Sequence, residues 1–131
     1  MEIRRKEPTE KGPSDLFTGD AWIDVIAHGD EPSRVRVNRV RFAPGARTAW
    51  HAHAVGQTLH VIEGIGRTQA RGGDVIEIRP GDTIETAPAE WHWHGAAAEH
   101  FMTHLAIWDA PQGGGAGTEW GAEVTDEEYR R

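Results

Sequence analysis

Two His-x-His pairs, His51 with His53 and His92 with His94, are joined in this chain by Gln57, which follows the first pair after three residues. In an extended strand residues i and i+2 project to one face, so each pair can aim two imidazoles at a single point. Neutral ring nitrogens and an amide oxygen are ligands for a divalent first-row ion. Three His and one Gln leave one or two coordination positions for water or substrate. Every member of the set His51, His53, Gln57 and His92 is uncharged. An ion held without a carboxylate keeps its full 2+ charge, which favours polarising an oxygen or attracting an anion and disfavours higher oxidation states. Lewis-acid chemistry is therefore expected ahead of oxidative chemistry.

Proton transfer needs further groups. His94 shares a face with His92, and His104 comes from the next strand; either one can serve as acid and base at neutral pH or orient a ligand from behind. Thr48, three residues before His51, is placed to donate a hydrogen bond to substrate, although Thr also serves strands through its β-branching. On strand parity Asn38, Val40, Phe42, Met102 and Trp108 line a small, mostly apolar pocket, suited to an aldehyde-sized or aromatic guest. The remaining histidines, His28, His60 and His100, read as surface groups or hydrogen-bonded core residues. Trp91 and Trp93, which flank His92, read as packing on the outer face.

These side chains must be positioned by strands. TAWHAH (48–53), the turn-like AVG and QTLHVIEG (57–64) form a strand, a turn and a strand. Neighbouring antiparallel strands lie about 4.8 Å apart, close enough for Gln57 to reach an ion held by His51 and His53. Residues 1–20 are polar and carry Pro8, Gly12, Pro13 and Gly19, which reads as an arm lying on the domain rather than building it. AWIDVIA (21–27) is the first strand candidate. In RVRVNRVRF, Val35 and Val37 carry one parity and Val40 and Phe42 the other, so a bulge is expected near Asn38. Turn signals at APGAR, EGIG, RGGD, RPGD and APAE punctuate short β-rich runs at the spacing of an all-β sandwich or barrel. HFMTHLAIW (100–108) is the last strand expected, with His104 on the face of Met102, Ala106 and Trp108. PQGGGAG reads as a flexible loop, and Thr125 with Glu128 forms a capping-box pattern that starts one short helix.

Totals narrow the function. A chain of 131 residues is one domain with no room for a separate cofactor domain. The expected organisation is an arm over 1–20, a β-barrel over 21–110, and a Gly-rich loop with a helix over 111–131. A net charge of −7 and a pI near 5.6 oppose a phosphate-tracking surface, so nucleic acid is not an expected partner. With no cysteine, disulfides, thiolate ligands and a Cys nucleophile are excluded, and any metal is held by N and O. The N-terminus has no apolar h-region and no run approaches the roughly 20 apolar residues of a membrane span, so a cytoplasmic protein is expected.

The residues named so far resemble a cupin. Gly45, five residues, His51-x-His53, three residues, Gln57, six residues and Gly64 follow the first cupin motif, with Gln57 where that family usually has Glu. Gly81, Pro88 and His92 resemble the second motif more loosely, with Pro88 one position late and Ala96 where Asn is common. PGARTAWHAHAVGQTL, HWHGAA, MTHLAI and VTDEEYRR are similar to segments of the small bacterial single-domain cupins that include manganese-dependent hydroxynitrile lyases. The resemblance implies a double-stranded β-helix, or jelly-roll barrel. It implies metal ligands at His51, His53, Gln57 and His92, with His94, His104 and Thr48 in the pocket. It also implies Mn(II) as the ion, with Fe(II), Zn, Ni or Co as alternatives, and a homodimer or homotetramer.

The function expected from these features is metal-dependent cleavage or formation of a cyanohydrin from an aldehyde and cyanide. The alternatives are a dioxygenase acting on a small diketone or phenolic substrate and a non-catalytic small-molecule binder whose metal is structural.

Overall fold

A computed structural model describes residues 1–131 as thirteen β-strands and one short helix, arranged in two curled antiparallel sheets. The strands are β1 (Glu10–Lys11), β2 (Phe17–Thr18), β3 (Ala21–His28), β4 (Val35–Phe42), β5 (Arg47–Thr48), β6 (His51–His53), β7 (Gln57–Gly64), β8 (Gly66–Ala70), β9 (Ile76–Ile78), β10 (Thr83–Thr86), β11 (His92–Ala96), β12 (Met102–Asp109) and β13 (Thr118–Trp120); α1 is Asp126–Arg130. The first sheet runs β1-β3-β4-β12-β7-β10. In the second sheet β11 pairs with β5 and β6 and also with β8, β9 extends β8, and β13 and β2 add to β6 and β5.

Period-2 alternation sends one set of side chains inward from both sheets. At one end of the barrel Phe42, Val61, Ile78, Ala96 and Met102 form an apolar plug with Phe17 and Ala21. Met102 is fully buried there and is absent from the cavity wall, which corrects its expected place in the pocket. It shares a face with His104 but lies one step deeper, where Gly66 leaves room for its thioether.

Two expectations about the first third of the chain are corrected. The bulge lies in β3, where the register shifts between Val25 and Ala27, while β4 pairs with β12 without interruption from Val35 to Phe42. Ile26, the extra residue, is exposed, and Asn38, Val40 and Phe42 of β4 all line the interior cavity. Val35 and Val37 lie half-buried on the outer face, so their parity needed no reconciling. The N-terminal arm also builds the domain: β1 joins the first sheet, β2 joins the second, and Phe17 belongs to the core.

A second apolar cluster of Trp50, Trp93, Val124 and Tyr129 sits outside the second sheet under α1. The capping box is formed, with Thr125 Oγ1 accepting from Glu128 N–H and the Glu128 carboxylate accepting from Thr125 N–H. A five-residue helix cannot hold itself in water. Its anchors are tertiary: Tyr129 donates its hydroxyl to Ala96 O at 2.7 Å, and buried Arg47 donates to Val124 O at 2.7 Å and to Asp126 Oδ1 at 2.9 Å. Trp93, fully buried, packs on Tyr129 and donates Nε1–H to Gln69 Oε1. This fixes the outer face of β11, and by alternation it fixes the inward aim of His92 and His94. Gly95 faces Trp93's side, where an added Cβ would lie 2.6 Å from Arg47 Cα, so only glycine permits β11 and β5 to approach this closely. No helix of the chain is long and apolar enough to cross a membrane.

Candidate metal centre

His51 and His53 on β6 and His92 on β11 are brought together by pairing of the two strands, which sets His92 directly opposite His51. All three are buried, and one ring nitrogen from each lies within 4.8 Å of the others. Hydrogen bonds show which nitrogen faces inward. His51 Nδ1 is 2.8 Å from Ala49 O, His92 Nδ1 is 2.9 Å from Glu90 O, and His53 Nδ1 is 3.0 Å from Thr118 Oγ1. A carbonyl can only accept, so Nδ1 of His51 and of His92 carries the proton and each Nε2 presents a lone pair. Gln57 reaches the same point from β7, with Oε1 3.4 Å from His92 Nε2. His53 Nε2 is buried with no partner in the protein, a costly state for a polar atom unless it meets a ligand. A dication fits this donor set of three imidazole nitrogens and one amide oxygen.

Burial keeps the imidazoles neutral. It lowers His51 well below its usual range, with the adjacent His92 adding to the effect; it pushes His53 down to about 4 and lowers His92 as well. Ligating histidines must be unprotonated, so a site already neutral at pH 7 releases no proton from these rings on loading.

His94 and His104 complete the constellation. His94 stacks beside His92, with ring centroids 5.7 Å apart, and lies 5.1 Å from the ring of His51. Its Nδ1 is 2.9 Å from His104 Nε2, and both rings are buried. Burial pushes His104 down to about 4 and His94 well below the usual value, with the neighbouring His104 contributing to the latter. His94 Nε2 and His104 Nδ1 have no protein partner. Thr48 Oγ1 accepts from His94 N–H at 3.3 Å, which leaves the hydroxyl proton of Thr48 free to donate.

These groups line one cavity of about 180 Å³. Its wall includes Thr48, His51, His53, Gln57, His94 and His104, together with Asn38, Val40, Phe42 and Trp108; of the residues expected at the site, Met102 and His92 are absent from it. His92 stands behind this surface, in contact with it through His51 and His94. Phe42 meets the His94 ring edge-on at 6.0 Å, and Trp108 lies 6.1 Å from the ring of His53. A cavity of roughly 150 Å³ suffices for benzene, so one aromatic ring fits this space.

Six lining residues were not read from the sequence: Pro13, Leu16 and Phe17 of the arm, Ile23 of β3, and Thr118 and Trp120 of β13. Thr118 and Trp120 stand at i and i+2, the spacing of the His pair they face across β6. The preceding Gly-rich run hid that signal. Outside the site His28 and His100 are exposed, and His60 Nδ1 bonds Thr83 Oγ1 on the outer face. Glu63, Glu85 and Glu90 lie off the cavity.

A jelly roll holding a three-histidine cluster in its mouth defines the class. The family description "Cupin domain" matches residues 38–108, and the chain belongs to the cupin family. A protein named (R)-mandelonitrile lyase from Granulicella tundricola is 49% identical over 133 residues, spanning 100% of both chains. Among solved structures, a cupin-like protein from Thermotoga maritima superposes with a TM-score of 0.86 at 38% identity, covering 99% of this chain and 96% of the other. A cupin-2 domain protein from Rhodospirillum rubrum shares the fold, with a TM-score of 0.72 at 16% identity over 99% of this chain and 84% of its own.

Proposed function

We propose that the chain is a metal-dependent hydroxynitrile lyase that cleaves an aromatic cyanohydrin such as (R)-mandelonitrile to an aldehyde and cyanide, and runs the reverse addition. The observation that carries this reading is the hydrogen-bonded pair His94 and His104 set against the three-histidine cluster at the wall of one small apolar cavity. The full-length similarity to a protein named for that reaction supports it. His51, His53, Gln57 and His92 hold the ion, taken here as Mn(II). When bound, it supplies positive charge that stabilises the anion developing as the cyanohydrin breaks.

The chain's own groups move the proton. With Nδ1–H of His94 donated to His104 Nε2, His94 Nε2 presents a lone pair to the cavity and takes the proton from the cyanohydrin hydroxyl. The O–H electron pair becomes the second bond of the carbonyl, the C–CN bond breaks, and its electron pair leaves on cyanide. The imidazolium then returns its proton to cyanide, giving aldehyde and hydrogen cyanide with the site restored. His104 steadies the transient charge on His94 by accepting from it. Thr48 donates its free hydroxyl proton to the substrate oxygen or to cyanide. Phe17, Val40 and Phe42 take the aryl group and exclude water.

The reading is tested by incubating Mn(II)-loaded protein with mandelonitrile at a pH low enough to suppress spontaneous decay. Benzaldehyde formed above the rate of a protein-free control supports it. No benzaldehyde across several cyanohydrins, or oxygen consumption in its place with a phenolic or diketone substrate, would replace it with another chemistry.

A further inference from the structure

The three histidines of the cluster are not held alike. His51 and His92 each give Nδ1–H to a backbone carbonyl two residues back in their own segment, Ala49 O and Glu90 O, at 2.8 and 2.9 Å. These partners come with the backbone and fix the tautomer, because a carbonyl cannot donate. His53 instead meets a side chain from a distant part of the chain, Thr118 Oγ1 at 3.0 Å. A hydroxyl can donate or accept, so Thr118 leaves both tautomers of His53 open until something claims Nε2. That atom is buried and has no other partner.

Thr118 belongs to β13, an edge strand that pairs only with β6 and places Thr118 and Trp120 across from His53 and His51. The Trp120 ring lies 4.7 Å from the ring of His51 with 32° between the planes. The tether before it contains Gly113, Gly114 and Gly115, all with positive φ. One three-residue strand therefore backs both histidines of β6.

We infer that Thr118 is the positioning residue for the metal centre: once Nε2 of His53 faces the ion, the Thr118 hydroxyl accepts Nδ1–H and holds the ring in that orientation, which ties metal retention to the docking of β13. The inference rests on the metal-site reading of the same cluster. It goes beyond that reading by making a residue outside the ligand set decide how firmly the ion is kept. Loss of such a hydrogen bond to a ligating histidine weakens metal binding about 10- to 100-fold, and by reciprocity a bound ion holds β13 in place by the same factor.

The test is a metal titration of the full chain with Zn(II), Thr118→Val and Thr118→Ser being compared with the unsubstituted protein, and with long-range ¹H–¹⁵N spectra of the histidine rings recorded on each loaded form. Val matches Thr in shape, favours a strand and lacks the acceptor; Ser keeps the acceptor and loses the methyl group. The expected result is Kd raised about 10- to 100-fold in Thr118→Val, with Thr118→Ser within a few-fold of the unsubstituted protein. In the spectra Nδ1–H of His53 should be protected from exchange wherever the hydroxyl is present and exposed in Thr118→Val. Equal affinity for all three proteins overturns the inference while leaving the metal site standing. Weaker binding in Thr118→Ser with Thr118→Val unchanged overturns it in favour of packing by the methyl group. Failure of the unsubstituted protein to bind one equivalent of Zn(II) overturns both the inference and the site on which it rests.

Discussion

His104 Nε2 lies 2.9 Å from His94 Nδ1, and neither ring meets solvent. Two imidazoles joined in this way share one proton, so the ring nearer the metal cluster can be a base only while the farther ring accepts from it. Replacing His104 with Gln should therefore lower kcat for cyanohydrin cleavage by about 10²- to 10⁴-fold, with metal content unchanged. His94→Gln should lose as much, and the double variant little more than either single one, since the pair acts as a unit. Multiplicative losses in the double variant, measured by steady-state kinetics, would show that the two rings act separately.

Gln57 places an amide where a carboxylate would fit, with Oε1 3.4 Å from His92 Nε2. Gln57→Glu preserves shape and adds a negative charge to the ligand set. The variant should bind a dication more tightly and cleave cyanohydrin at least tenfold more slowly, a tenfold loss being about 1.4 kcal/mol of transition-state stabilisation, because part of the ion's charge is neutralised before substrate arrives. Isothermal titration and kcat together check both halves. Tighter binding with faster turnover would contradict the charge argument.

Five buried histidines make the metal-free protein acid-sensitive. His53 and His104 are pushed down to about 4 by burial, and His51, His92 and His94 also lie below the ordinary 6.5. In the unfolded chain these groups take up protons as pH falls through 6.5, while in the folded chain His53 and His104 resist until about 4 and the other three are likewise protonated only below their ordinary range. The unfolded state thus binds more protons in that window, so stability is full above pH 6.5 and falls steadily towards pH 4. Thermal melts of chelator-treated protein from pH 7.5 to 4.5 should show a declining Tm. A flat profile would mean that these rings are hydrated or charged in the folded state.

Tyr129 anchors α1 by donating to Ala96 O at 2.7 Å from a helix too short to persist alone. Tyr129→Phe keeps the ring against Trp93 and removes only that bond, at a cost of about 1 kcal/mol, or roughly 4 °C in Tm. Urea unfolding should show a lower midpoint with an unchanged slope. No change in midpoint would place α1 outside the cooperative unit.

The all-β class and the convergence of His51, His53, Gln57 and His92 were legible because both depend on period-2 spacing within short strands, which a sequence displays directly. His94 and His104 were legible for the same reason. Depth along the barrel was not: parity puts Met102 on the face of His104 but does not say that the cavity ends above it. The arm was misread because Phe17 is a lone apolar residue in a polar, Pro- and Gly-bearing stretch, and its burial depends on pairing with Thr48 far along the chain. β13 was hidden likewise, since a three-residue strand after PQGGGAG has no periodicity of its own and is ordered by β6. Sequence spacing marks groups on one strand, while the partners that close the site from other segments emerge only from tertiary pairing.

The most direct measurement is the rate of benzaldehyde release from (R)-mandelonitrile as Mn(II) is titrated into chelator-treated protein, with bound metal counted at each step. The rate should rise in proportion to bound ion and level off at one ion per chain. A rate that is independent of bound metal, or absent at full occupancy, would contradict the account.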